Sequence, residues 1–175
     1  MQFSNDGNFL YTLGPDNQLF IHNAKTGEFL FSLEDKENGE AKSFIMSNDD
    51  NFVAINYITK KSTIFSLKER KLIQKIDGEV MAINSENNNI KEIYGQVDSK
   101  LFITKPNSEV LYYADNKIKT STGNLKYNTI NMSFDGKYYI LSNPKNNTVI
   151  IDLVTGEPVR ILYSSNSDFF ISLPV

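Results

Sequence analysis

Few side chains in this 175-residue chain could carry chemistry. There is one histidine, His22, and no cysteine. A Ser-His-Asp arrangement would have to use that histidine, because an imidazole must take and return the serine proton. Without cysteine, a thiolate nucleophile, a disulfide or a thiolate metal site cannot form. His22 ends the apolar run "LFIH", in the slot that Asp152 fills in a related run, so packing or a local hydrogen bond is expected of it. The nine glycines are dispersed singly, which rules out the G-x-G-x-x-G and P-loop cradles for phosphate. "DKENGE", from Asp35 to Glu40, has the acidic composition of a calcium loop. Its Gly39 is at the fifth position instead of the sixth, however, and Met46 stands where a bidentate glutamate belongs, so a solvated turn is expected. Asp49 and Asp50 are adjacent within a turn signal, where two carboxylates need not converge as an acid/base pair must. No catalytic residue, metal ligand or cofactor is expected, and the chain reads as non-enzymatic.

One patch could bind charge. "KKSTIFSLKERKLIQK" carries Lys60, Lys61, Lys68, Arg70, Lys71 and Lys75 against a single Glu69, with the cations at two turns. Such a cluster could grip phosphates or an acidic partner, although charged turns also serve solubility alone. The net charge of −3 gives no general attraction to nucleic acid or to an anionic membrane. The opening "MQFSNDGNFLYTLG" has neither a basic start nor a long apolar stretch, and no later apolar run approaches the ~18 residues of a membrane span. A cytoplasmic protein is expected, with a nuclear one left open, and no membrane association.

The elements that must position these groups are repeats. "FSNDGNFLYTLGPDNQLFIHNAKTGEFLFSL" from Phe3, "MSNDDNFVAINYITKKSTIFSLKERKLIQKI" from Met46 and "MSFDGKYYILSNPKNNTVIIDLVTGEPVRIL" from Met132 share one layout. The first two starts are 43 residues apart and the second and third 86, so a degenerate copy is expected between them. There "VMAIN", "IKEIYGQ", "KLFIT" and "EVLYYA" supply four more short β-type runs. Asp6-Gly7, Asp49-Asp50 and Asp135-Gly136 separate the first two runs of their units, Thr26-Gly27-Glu28 and Thr155-Gly156-Glu157 the last two, and Asn17 and Asn147 precede matching third runs. These are turn residues, and the four- to seven-residue runs of Tyr, Phe, Ile and Val between them are strands. Nearly continuous runs such as "TVIID" are expected of strands covered on both faces. The result is an all-β chain of about four four-stranded antiparallel units, roughly 1–40, 41–79, 80–124 and 125–167.

"FDGKYYILSNPKNNTVIIDLVTGEPVRIL" resembles a repeat of the WD40 and YVTN class of β-propellers, with an Asp-Gly turn, a buried strand ending at Asp152 and a Thr-Gly turn. The chain departs from that pattern in having no tryptophan and no Gly-His dipeptide. "DFFISLPV", residues 168–175, reads as the first strand of a next unit, or as the strand that closes the first unit, which has only "MQF" in that place. Part of a larger ring, or a ring completed by another chain, is favoured over a closed four-bladed ring because four is the lower limit of blade number. The resemblance implies a non-enzymatic scaffold whose partners are other proteins in an assembly. The alternatives are an enzyme or ligand-binding propeller with its site at the central channel, and a nucleic-acid or ribonucleoprotein binder acting through the basic residues 60–75.

Overall fold

The computed structural model of the chain describes residues 1–14, 17–97, 100–106, 111–113, 117–120, 123–126, 129–133, 137–142, 147–152, 158–165 and 168–172. Asp135-Gly136 and Thr155-Gly156-Glu157 therefore lie outside the described residues. All the regular structure described is β, and no described helix is long and apolar enough to cross a membrane. The chain forms two compact units, residues 1–98 with 102–112, and residues 99–101 with 113–175.

Four antiparallel sheets recur along the sequence. The first orders β1 (Gln2–Phe3), β2 (Phe9–Leu13), β3 (Leu19–Asn23) and β4 (Phe29–Leu33) as they occur in the chain. The second does the same with β5 (Ala41–Met46), β6 (Phe52–Tyr57), β7 (Ser62–Ser66) and β8 (Lys71–Ile76). The degenerate third copy is a full sheet of β9 (Glu79–Glu86), β10 (Asn89–Val97), β11 (Lys100–Thr104) and β12 (Leu111–Tyr113). A separate hairpin follows, β13 (Lys117–Thr120) with β14 (Gly123–Lys126). The last sheet has five strands: β15 (Thr129–Met132), β16 (Tyr138–Ser142), β17 (Asn147–Asp152), β18 (Pro158–Ser165) and β19 (Asp168–Ser172).

Two boundaries differ from the repeat pattern. Residues 117–126 are not the tail of the third sheet but a hairpin of their own, because Lys117 to Thr120 and Gly123 to Lys126 pair with each other. β19 is the fifth strand of the last sheet. It folds back on β18, with Ile161 opposite Ser172 and Ser165 opposite Asp168. The short separation between the two runs makes a hairpin partner far cheaper in loop entropy than a distant sheet edge.

Strand alternation explains how the second sheet is held. On β6, Val53, Ile55 and Tyr57 join Tyr11, Leu19, Ile21 and Leu33 of the first sheet in one core. Phe52 and Ala54, on the opposite face of the same strand, join Val80, Ile83, Ile93 and Phe102 of the third sheet in another. β7 divides likewise, Phe65 to one side and Ile64 to the other. Every residue of β6 and β7 is therefore buried, the mostly apolar Phe52–Tyr57 and the Ser62–Ser66 run with its three polar side chains alike. In the third sheet the Phe102 ring lies where a Cβ on Gly78 or Gly95 would sit, 2.6 and 2.4 Å from those positions, so both glycines are required by packing.

Asn56, Ser62 and Thr63 on these dry strands find partners beyond their own sheet. Asn56 donates from Nδ2 to the Val80 carbonyl at 2.8 Å and accepts the Val80 amide on Oδ1 at 3.0 Å. Ser62 donates to the Gly78 carbonyl at 2.6 Å. On the other face the Thr63 hydroxyl donates to Asp35 at 2.8 Å. Each lies at the end of its strand, where the chain crosses to the neighbouring sheet.

The turn between the first two strands of a sheet has one recurring construction. Ser4 and Phe9, Ser47 and Phe52, and Ser133 and Tyr138 each exchange a backbone bond from the serine amide to the aromatic carbonyl, at 2.9–3.0 Å. The aromatic amide in turn donates to the serine hydroxyl, at 2.9, 3.0 and 2.9 Å. In the first two copies the serine hydroxyl donates to the Asp two residues on, Asp6 at 2.6 Å and Asp49 at 2.8 Å. Gly7 (φ 69°) and Asp50 (φ 55°) occupy the left-handed position that closes the turn. Ser47→Ala removes the acceptor for a buried Phe52 amide and should lower stability by about 1–3 kcal/mol in chemical denaturation. An unchanged midpoint would show that this turn is held by its backbone bonds alone.

Candidate functional site

The Asp turns of the first and second sheets lie side by side. The Asn5 amide donates to Asp50 Oδ2 at 2.5 Å, and Asn5 Nδ2 donates to the Asn48 carbonyl at 3.1 Å. One period later Asn48 repeats the contact toward the third sheet, donating to the Ser85 carbonyl at 3.0 Å and accepting the Ser85 amide at 2.7 Å. In the first two sheets the residue after the turn serine thus ties its sheet to the next.

Beside this seam a groove of about 540 Å3 opens between the first and second sheets. Buried Tyr11 and Ile21 line it, with half-buried Phe31 and Leu67 and the more exposed Phe9. Three carboxylates, Asp6, Asp49 and Asp50, share it with one cation, Lys68. A second groove of similar volume lies between the second and third sheets, where Phe52, Ile73 and Ile90 meet Lys68 and Glu69.

The three carboxylates differ in their surroundings. The Ser4 hydroxyl and Asn8 hold Asp6 below the ordinary carboxylate range. Burial opposes ionisation of Asp49, but donation from Ser85, Asn51 and Ser47 outweighs it and holds that carboxyl low. Asp50 goes the other way: burial raises it, the Asn5 amide opposes the shift, and the charges of Asp6 and Asp49 reinforce it. The Tyr11 hydroxyl is pushed up to about 12 by burial and by the charges of Asp50 and Asp6, so it stays protonated and the groove carries net negative potential.

The six sequence-predicted cations do not form one patch. Lys60 and Lys61 sit in the β6–β7 turn, and Lys75 lies opposite Thr63 near the same end of the sheet. Lys68, Arg70 and Lys71 sit in or beside the β7–β8 turn, a strand length of roughly 16 Å away. Several are also engaged. Lys75 pairs with Asp35 at 3.1 Å and Glu37 at 2.5 Å, Lys71 with Glu69 at 2.6 Å, and Lys61 with Asp77 at 3.8 Å. The Arg70 guanidinium lies 4.3 Å from the centroid of the Phe31 ring.

The remaining candidates have structural surroundings. Asp35, at the start of "DKENGE", is buried and accepts from Thr63, Asn38 and the Glu37 amide as well as Lys75, so it is a sheet-to-sheet tie and not the first ligand of an open loop. Asp49 and Asp50 diverge, one into its own turn and one toward Asn5. His22 packs edge-on to Phe29 at 5.8 Å and against Phe20 at 6.4 Å. It does not occupy the slot of Asp152: Asp152 pairs with Tyr138, and the residue in that register in the first sheet is Asn23, opposite Phe9. Asn23 Oδ1 accepts the Lys25 and Thr26 amides at 2.9 and 3.1 Å and builds the Thr-Gly turn. By register the run Leu19–Asn23 matches Thr148–Asp152, and the bulge after Ile21 has its counterpart after Ile150.

These sheets are the blades of a β-propeller fold. Among solved structures, the β-propeller domain of Cps50 (Swd1) from Myceliophteria thermophila superimposes with a TM-score of 0.66 and 15% sequence identity, over 98% of this chain and 60% of that one. The chain thus spans about three fifths of the length of that domain. No family model and no curated protein matches the sequence.

The two neighbouring aspartates predict opposite pH behaviour. Asp50 binds its proton more tightly when folded, so its ionisation costs stability above the raised native value, and the cost disappears as pH falls toward the unfolded value of ~3.9. Asp50→Asn should therefore stabilise at pH 7 by about 0.5 kcal/mol, the scale of partly screened charges, with the gain shrinking in acid. Asp49 has the lowered value, so its stabilisation is present above ~3.9 and is lost below it. Asp49→Asn should destabilise at pH 7, since its new amide faces Asn51 Nδ2, and the deficit should vanish only in stronger acid. Thermal melts of both variants from pH 3 to pH 7 (on the order of four steps) check the pair of signs.

Proposed function

We propose that the chain is a non-enzymatic interaction scaffold that receives another protein in the groove between its first and second sheets. The observation that carries this reading is the groove itself, an apolar trough with exposed Phe9 at its mouth, set between two sheets locked together by a shared core and by the Asn5–Asp50 and Thr63–Asp35 ties. Rigid walls lower the ordering cost of binding, and turns at sheet ends are where such scaffolds present contacts. The division of the cations between opposite ends of the second sheet speaks against nucleic-acid binding through a continuous strip of phosphate contacts, which needs them on one surface.

Site-specific photocrosslinking in cells tests the reading. A benzophenone side chain at Phe9 should give discrete protein adducts. The same group at Ile58, which is 59% exposed but in the β6–β7 turn at the opposite end of its sheet, should not. Equal labelling from both positions, or none from Phe9, would remove the groove as the docking surface.

A further inference from the structure

The chemistry of the groove narrows the class of partner, an inference that rests on the interaction reading above. Asp6, Asp49 and Asp50 are without an ion pair among the described residues, whereas Asp35, Glu37, Glu69, Asp77 and Glu79 each face a lysine. The uncompensated carboxylates stand against aromatic and aliphatic walls, so a ligand that matches them needs a cation on an apolar stem. Phe31, one of those walls, already accepts the guanidinium of Arg70 on its ring, which shows the compatibility of this surface with such a group. Lys68, the cation lining the groove, is exposed and makes no ion pair among the described residues, so it lies free to swing away or to compete.

We propose that the groove docks a basic peptide segment of a protein partner, with an arginine or lysine head against Asp50 and Asp6 and an apolar neighbour over Phe9 and Leu67. The charges set the identity of the segment and the walls supply contact area, so binding should weaken as salt rises.

The test is selection of a random dodecapeptide display library on the 175-residue protein, followed by fluorescence anisotropy with synthetic labelled copies of the selected peptides. The expected result is an excess of arginine or lysine next to an apolar residue. The Asp6→Asn/Asp50→Asn double variant, which keeps the acceptor oxygens of both turns, should bind these peptides about tenfold or more weakly. Lys68→Gln should bind them about twofold to threefold more tightly, because it removes a competing cation, an outcome that no folding defect would produce. Failure to select any binder, or binders without a basic excess, overturns the proposal. Neutral peptides that lose affinity with Leu67→Ala would leave the groove as a docking site with another class of partner. Basic peptides indifferent to the aspartate, lysine and leucine variants would overturn the proposal and remove the groove from the interaction reading as well.

Discussion

The central strands of the second sheet, β6 and β7, have no wet face, and most of the molecule's detail follows from that. An ordinary antiparallel sheet exposes one side and can leave its polar groups to solvent. Here alternate residues enter two different cores, Val53 and Ile55 on one side and Phe52, Ala54 and Ile64 on the other. A polar side chain on these strands that is left unpaired costs about 1–3 kcal/mol. Asn56 and Ser62 find partners at the third sheet, and Thr63 finds one at Asp35 beyond the first.

The same constraint makes the sheets act as a stack and places the grooves where they are. Asn5 ties the first sheet to the second and Asn48 the second to the third, and a groove opens between the sheets of each pair. The turn serines and aspartates are consumed in building those corners, so the walls of the first groove are apolar while its charge comes from turn carboxylates held in place by their own hydrogen bonds. Asp50 is the member least compensated by its turn, which is why its proton is held more tightly than that of Asp49. A carboxylate kept in such a position costs folding stability and contributes field strength toward a cationic group outside the chain.

The basic residues show the converse. In sequence Lys60 to Lys75 form the densest run of positive charge, yet folding sends them to two ends of one sheet and pairs Lys75 with Asp35 and Glu37, far away in sequence. Sequence density of charge is therefore a poor guide to surface density in a meander, where the chain reverses direction after each strand, as at Phe52–Tyr57, Ser62–Ser66 and Lys71–Ile76.

The repeat was legible in the sequence because it is local. The Ser-x-Asp turn, the aromatic five residues after its serine and the spacing of 43 are each satisfied by bonds within one hairpin, so "SNDGNF", "SNDDNF" and the Ser133–Tyr138 pairing announce the same corner wherever they stand. The class of fold followed from such short-range patterns. What only the tertiary structure decided was pairing between segments distant in sequence or ambiguous in register. Strand pairing puts Asn23, not His22, in the slot of Asp152, and a short reversal turned residues 168–172 back onto β18. The groove was invisible for the same reason. Asp6 and Asp50 are 44 residues apart in the chain, and only the stacking of one sheet on the next puts their charges beside Tyr11 and Phe31. Local hydrogen bonds write themselves into sequence as motifs, whereas a surface shared by two sheets is created by packing and leaves no contiguous trace.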